Sequence, residues 1–513
     1  MTLLTNSLVL DTLVLCSLPL IFLFIKSIFN YRYWKNKNVF YFSPTFPFGN
    51  YGAGFLSRIT FHQMHCEFYN KIKYDLKLPY GGLYQLMTPK LMVTDPELYK
   101  YILIKDFDHF VDRGMGELDA KRDPIAGHLF LSKGEYWKRL RNKLSPTFTS
   151  GKIKYMFPLI KKCSDQLITT IRKQIGESKQ MSLEVKDYCA RYTTDVIGTT
   201  AFGIEINSLE NPDSEFRQVS LLVMKPSVLQ MLKAVLSELI PLIKYLNLKI
   251  FDPRISQFFS NLVKTNLSYR EKNNIKRDDF LNIMMQLQIA QRGKTLSPDD
   301  VEMTDDVITA QSFVFFFGGY ETSSSVLTFC LYELARNPDI QSKLRQEIMA
   351  TKKKEGELTY EICHKMSYLD KVTKEALRMY PSLPQLDRIS VKKYKLPNTD
   401  LTLDVGTKIS IPTFAIHYDP EYYPDPEKFD PERFSPENIE SRPHYTYLPF
   451  GDGPRNCIGM RFGTIQFKIG LAQLISNFEF SIDSANATFE YLKGSLLLQT
   501  EKPLFLNVKP LEL

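Results

Sequence analysis

The stretch Phe450-Gly451-Asp452-Gly453-Pro454-Arg455-Asn456-Cys457-Ile458-Gly459 constrains this 513-residue chain more than any other. Three glycines and a proline around one cysteine read as a tight loop, neither helix nor strand. The loop runs straight into Met460-Arg461-Phe462-Gly463-Thr464-Ile465-Gln466-Phe467, where helical apolar spacing begins. A thiol placed there lies near a helix N-terminus, whose free N–H groups favour the thiolate. Held that way, with Arg455 two residues earlier, it suits a single bond to a large planar anionic cofactor. The competing reading is a buried structural cysteine in a turn.

A second feature is a long helical pattern over Thr304–Arg336, about 50 Å at 1.5 Å per residue. Asp305 and Asp306 favour its N-terminus, and Asn337-Pro338 ends it. The run Phe313-Val314-Phe315-Phe316-Phe317 is apolar all round, so the helix is expected to be buried. In its middle stands Gly318-Gly319-Tyr320-Glu321-Thr322-Ser323. Each glycine costs about 1 kcal/mol relative to alanine, and a buried acid beside a hydroxyl needs a reason. A local opening that admits dioxygen, with Glu321 and Thr322 delivering protons, is one reason. A kinked core helix with a capped polar patch is the other.

Two shorter motifs are helical by spacing. Trp137 and Arg141 lie four apart, so an indole N–H and a guanidinium share a face and can meet a carboxylate. Glu375 and Arg378 lie three apart, where a charge-assisted pair forms. Alternating segments near Val391–Leu403, Lys408–Ile411 and Leu504–Lys509 predict strands. The rest is mostly helical, which gives a mainly α fold with a small β-rich subdomain.

Composition narrows the function. The seven cysteines, at 16, 66, 163, 189, 330, 363 and 457, are scattered without a Cys-x-x-Cys pair. That argues against a disulfide framework and against zinc or iron–sulfur sites. Net charge is +8 and the longest basic run is Lys352-Lys353-Lys354, a solvated helix end, so no nucleic-acid partner is inferred. No dinucleotide or flavin motif is apparent, because the glycines near Cys457 follow no strand of a βαβ unit. Asn266-Leu267-Ser268 and Asn486-Ala487-Thr488 fit glycosylation acceptors and are read as chance matches on a cytosolic domain.

At the N-terminus, Leu8–Ile25 is apolar apart from Asp11 and Pro19, and Lys26, Arg32, Lys35 and Lys37 follow it. This charge asymmetry predicts a signal anchor over residues 1–29, with the body on the cytosolic side. A cleaved signal peptide would carry its positive charge before the apolar run. Residues 30–50, with Pro44 and Pro47, read as a basic, proline-containing connector, and 51–513 as one catalytic domain. Residues 210–300 are least informative. Met224, Met231, Leu232 and Leu239-Ile240-Pro241-Leu242-Ile243 suggest broken apolar helices.

The motifs together resemble the cytochrome P450 superfamily. Its pattern Phe-x-x-Gly-x-Arg-x-Cys-x-Gly is met at every fixed position by Phe450 to Gly459, and Ala/Gly-Gly-x-Asp/Glu-Thr by Gly318 to Thr322. Asp123–Phe130, Asn142–Lys152, Phe202–Glu205 and Thr45–Asn50 are similar to the insect microsomal branch, family six of clan three. The resemblance implies the cytochrome P450 fold and haem b with Cys457 as axial thiolate, which favours O–O cleavage. It implies cofactor contacts from Arg455, Trp137, Arg141, Phe450 and Gly319. Arg388 matches a second propionate contact, with a surface arginine as the alternative. Arg433, in Pro431-Glu432-Arg433-Phe434, would join Glu375 and Arg378 as scaffold. Phe107, Phe110, Phe130, Phe315 and Leu496 occupy substrate-cavity positions of the family, with ordinary core packing as the alternative for each.

The activity so implied is a monooxygenase acting on apolar small molecules such as plant toxins or insecticides. NADPH electrons would come from an NADPH–P450 reductase, with cytochrome b5 as a further partner, at the endoplasmic reticulum membrane. Lys138, Arg139 and Lys143 are candidates for the basic docking face. A hormone or fatty-acid hydroxylase is the alternative within the fold. A haem-thiolate isomerase or dehydratase tends to lack the acid–threonine pair that this chain carries, and a catalytically silent haem- or lipid-binding membrane protein is the reading from another class.

Overall fold

A computed structural model describes residues 8–116, 120, 122–224, 228–239, 251–482 and 488–512. Helix α1 covers Leu8–Asn30. A hairpin of β1 (Tyr80–Gln85) and β2 (Thr88–Val93) follows. Then come α2 (Gly134–Leu144), α3 (Ser150–Ile175), β3 (Met181–Glu184) and α4 (Val185–Ile197). Helices α5 (Glu215–Met224), α6 (Val228–Leu239), α7 (Pro253–Lys272) and α8 (Phe280–Gln291) lead to the long helix α9 (Asp305–Arg336). After α10 (Pro338–Glu355) and α11 (Ser367–Met379) the chain forms β4 (Leu386–Ile389), β5 (Tyr394–Lys395), β6 (Thr402–Leu403) and β7 (Lys408–Ile411). Helix α12 (Met460–Asn477) and strands β8 (Phe478–Ile482) and β9 (Phe505–Pro510) close it.

The large core is helix against helix. Val196 of α4, Leu327 and Leu331 of α9, Ile160 of α3 and Ile469 and Leu471 of α12 are buried together. Helix α9 starts where the Thr304 side chain accepts the Val307 N–H, with Asp305 and Asp306 in its first turn. It runs unbroken to Arg336, so the glycine pair opens no gap in the helix.

The small β part is a sheet in the order β1-β2-β7-β4, parallel only between β2 and β7. Separate ladders join β3-β9-β8 and β5-β6. The expected strand across Val391–Leu403 is instead the short pair β5 and β6. They are turned at Asn398, which has φ +59°, a conformation asparagine tolerates. Strand β1 carries two adjacent glycines, Gly81 and Gly82. Both are there for close packing: a Cβ on Gly82 would lie 2.5 Å from Trp34 Cγ.

Within residues 30–50 the chain packs on the β1-β2 hairpin. Trp34 is fully buried with its indole N–H on the Leu83 carbonyl (2.9 Å), and the Tyr31 hydroxyl donates to the Leu86 carbonyl. In α1, Leu23 packs with Leu86, Met87 and Leu239 of α6, while Phe22, Phe24, Ile25 and Phe29 are exposed. Among the described residues no helix is long and apolar enough to cross a membrane. Residues 240–243 of the expected apolar run, and the acceptor Asn486-Ala487, lie outside the described residues. The other acceptor, Asn266, is half-buried with its amide on the Phe202 carbonyl.

Candidate active site

The Cys457 loop is built by its glycines. Gly451 and Gly453 have φ +67° and +70°, and a Cβ on Gly453 would fall 1.8 Å from the Leu103 carbonyl oxygen. The Asp452 carboxylate accepts the Gly453 N–H (2.6 Å), and the Cys457 N–H donates to the Phe450 carbonyl (2.8 Å). The Cys457 side chain is exposed, yet protein encloses it closely enough that burial raises its thiol above the usual range. The Gly459 N–H and the charges of Arg141 and Arg113 pull the other way without overcoming this. A sulfur that is accessible and yet desolvated faces an internal space. The expected stabilisation by a helix N-terminus is thus outweighed by burial, and a metal ion is what would deprotonate this thiol.

Arg113, whose charge reaches Cys457, stands together with Arg388 and Arg455. Arg388 is 1% exposed with no hydrogen-bond partner on Nε, which removes the surface-arginine alternative. Burial, reinforced by Arg113 and Arg455, holds it well below the usual guanidinium range. Burial also pushes Arg113 down to about 10 and, with Arg113 beside it, Arg455 to about 9. The nearby carboxylates do not balance these charges. Asp112 reaches Arg455 at 3.4 Å, and Asp387 is committed to the buried Lys90 at 2.7 Å. Buried cations in this state call for anions. A planar cofactor with two carboxylates on one edge and a thiolate-seeking metal at its centre fits this set.

The remaining expected contacts take up positions around it. Arg455 donates to the Val111 and Ser132 carbonyls and lies 4.0 Å above the Trp137 ring. Arg141 grips the cysteine loop through the Asn456 carbonyl and side-chain oxygens, each at 2.9 Å. Sequence reasoning missed Arg113, which sits in no helical motif. Its Nη2 donates to the Arg455 carbonyl, and its guanidinium covers the Phe130 ring at 4.3 Å.

The two glycines of α9 differ. Gly318 is exposed in a stretch of helix that is otherwise buried or half-buried, and a Cβ there would meet nothing within 4 Å. One turn on, Thr322 is half-buried and its hydroxyl donates to the Gly318 carbonyl. Gly319 faces α4 instead, where a Cβ would lie 2.3 Å from Ile197 Cδ1. It packs helices together and opens no cleft for a ligand. Glu321 is 3% exposed and points at α4, with Lys186 Nζ 2.7 Å away.

Of the expected cavity aromatics, the structure places several in the core. Phe110 is fully buried edge-on to Tyr394, and Phe107 packs on Trp137. Phe315 stacks on Phe148 and meets Phe280 of α8. Leu496 is 59% exposed. Phe130 remains beside the arginine cluster. Glu375 and Arg378 are both fully buried and bidentate at 2.7 and 2.8 Å, with Arg433 3.4 Å from Glu375. Of the basic residues on α2, Lys138 pairs with Asp108 and Glu135, Lys143 with Asp300, and Arg139 donates to the Pro298 carbonyl. An open depression of about 570 Å³ beside α7, lined by Glu215, Phe258, Tyr269 and Arg277, includes none of these site residues.

A family model for cytochrome P450 matches residues 52–508. Probable cytochrome P450 6a13 of Drosophila melanogaster is 40% identical over 493 residues, which is 96% of this chain and 97% of that protein. Cytochrome P450 6a2 of the same fly is 41% identical, covering 94% of this chain and 96% of its own length. Probable cytochrome P450 6a14 is 40% identical, covering 93% and 95%.

Proposed function

The chain belongs to the cytochrome P450 family, and on that premise we propose that it is a microsomal monooxygenase inserting one oxygen atom of O2 into apolar xenobiotics, with NADPH electrons passed on by a reductase. The observation that carries the reading is the surplus of buried positive charge at Arg113, Arg388 and Arg455, beside a desolvated but accessible Cys457. Haem bound there supplies thiolate-assisted activation of dioxygen. Cys457 would hold its iron through the sulfur. Arg388, Arg113 and Arg455 would take its carboxylates, each bond replacing a lost solvation shell.

The protein's own part is placement and protons. Gly318 leaves the face of α9 bare, so that a small molecule can approach without meeting a side chain. Thr322, on that same face, presents the hydroxyl that can pass a proton, and Glu321 is the adjacent acid. Phe317, half-buried next to Gly318 and stacked on the buried Phe313 at 6.3 Å, supports an apolar substrate. The exposed apolar side chains of α1 support attachment to lipid at the endoplasmic reticulum membrane through that helix. The intact Glu321–Thr322 pair supports oxygen activation over an electron-free rearrangement.

The test is the carbon monoxide difference spectrum of the reduced protein, wild type beside Cys457→Ala. A strongly red-shifted Soret band that the substitution abolishes is expected. A folded, haem-loaded wild type without that band would overturn the reading. Product formed per NADPH, with reductase present, then tests the substrate class.

A further inference from the structure

A buried ion pair lies next to the arginine cluster. Lys90 of β2 is 1% exposed, and its Nζ lies 2.7 Å from Asp387 Oδ1, 3.4 Å from Gln85 Oε1 and 5.1 Å from the centre of the Tyr51 ring. Lys90 is registered with Lys408, and Asp387 of β4 with Ser410, two residues on along β7. The pair therefore reaches across β7 on one face of the sheet. Lys408, beside Lys90, has an acid of its own in Glu238 of α6. Arg388 follows Asp387 on β4 and points to the other face, with its Nη1 on the Asp387 carbonyl at 2.9 Å. The Asp387 carboxylate thus acts on Arg388 by charge through the strand.

That charge decides what the pair is for. Burial first lowers Arg388 and Arg113, and Asp387 is the carboxylate whose charge opposes it at both. Asp112 serves Arg455 at 3.4 Å, and Arg141 binds the cysteine loop through Asn456. Arg113, Arg388 and Arg455 are matched by Asp112 and the two carboxylates of haem only if Asp387 is cancelled. Lys90 cancels it. We propose that Lys90 is a positioning residue for the cofactor: its ammonium holds and neutralises the Asp387 carboxylate, and so keeps the three arginines free for the haem carboxylates. The proposal rests on the reading of that cluster as the seat of haem. Without the ammonium, a third anion competes for the same cations, and its charge favours the oxidised iron.

The experiment uses the full-length, haem-loaded protein at pH 8, above the ordinary carboxylate range. Its two readouts are the midpoint potential of the haem iron and the rate of haem loss to a scavenger. Lys90→Met is expected to lower the potential and to speed haem loss about tenfold, as one uncompensated unit charge acting across a strand would do at an effective dielectric of about 20. Lys90→Met/Asp387→Asn removes that charge and is expected to return both readouts to wild type. Unchanged readouts in Lys90→Met overturn the proposal. A double variant as impaired as the single one also overturns it, since Lys90 would then act by packing. Should Lys90→Met not fold, Lys90→Gln keeps an amide donor toward Asp387 and removes the charge. The same two shifts, and the same rescue by Asp387→Asn, are expected of it, and their absence overturns the proposal. Neither readout needs oxygen, reductase or substrate, so a missing red-shifted carbon monoxide band would count against the monooxygenase reading alone.

Discussion

Two arginine clusters, both deep in the protein, show what separates scaffold from site. Arg378 is fully buried, but Glu375 meets it with both oxygens and the His417 and Pro426 carbonyls take further protons. Burial alone would lower its pKa, and the Glu375 hydrogen bonds raise it above the usual value instead. Arg388 is as deeply buried, yet its neighbours are Arg113 and Arg455, and its pKa goes down. The same side chain is satisfied in one place and short of anions in the other. A charge-balanced cluster needs nothing further, whereas an unbalanced one is completed from outside.

The strongest way to break this contrast is to unbalance the balanced cluster. Arg378→Met leaves the buried Glu375 only the Asp430 N–H (2.9 Å) and the more distant Arg433 (3.4 Å), and the expected cost is about 3 kcal/mol, a large share of the stability of a typical domain. Denaturant unfolding, or failure to obtain soluble protein, checks it.

Acid attacks both regions through neutral histidines. His417, beside Arg378, accepts the Leu448 N–H on Nε2, so its Nδ1 proton goes to the Arg378 carbonyl. Burial first, with that backbone hydrogen bond opposing it, holds it down to about 3, and burial alone brings His128 near the site to about 3. The unfolded chain protonates near pH 6.5 and binds protons the folded state refuses. Stability is therefore complete above pH 6.5 and is lost as pH falls from there toward 3. Each histidine contributes about 1.4 kcal/mol per pH unit over that window. Unfolding midpoints at pH 7 and pH 5 measure the slope, and His128→Phe is expected to make it shallower by one histidine.

Much of the balanced cluster could be read in the sequence, because Glu375 and Arg378 are one helical turn apart and local spacing suffices. The Cys457 loop was legible for a similar reason: its glycines, proline and cysteine are consecutive, and their backbone demands are local. The unbalanced cluster was not. Arg113, Arg388 and Arg455 come from three distant segments, and only tertiary packing brings them together. The direction of Glu321 was not legible, because about 3.6 residues share each helical turn and spacing alone does not say which neighbour each one meets. Lys186, far away in sequence, decides that. For Phe315 and Phe110 the choice between cavity and core was likewise illegible, because it turns on distant aromatic partners, Phe148 and Tyr394.

Balancing the unbalanced cluster sharpens the contrast from the other side. Arg388→Met removes a buried cation that lacks an anion, so the haem-free protein is expected to be no less stable than wild type. The haem-loaded protein loses a charge-assisted hydrogen bond of about 1.5–3 kcal/mol, or roughly tenfold to a hundredfold in haem retention. Unfolding of the apoprotein and haem loss to a scavenger give the two numbers. Parallel losses in both would mean that Arg388 is scaffold, like Arg378.

The same distinction holds between two adjacent glycines of α9, where the effects are smallest. Gly319 faces packed protein, and a methyl group there must displace Ile197, an overpacking worth about 1–3 kcal/mol against the fold. Gly318 faces open space, where a methyl group meets nothing within 4 Å. Its backbone lies in a regular helix, so Gly318→Ala is expected to stabilise by about 1 kcal/mol through helix propensity alone. Thermal unfolding of the two variants checks the signs, which should be opposite. If Gly318→Ala destabilised as Gly319→Ala does, that face of α9 would be packed core.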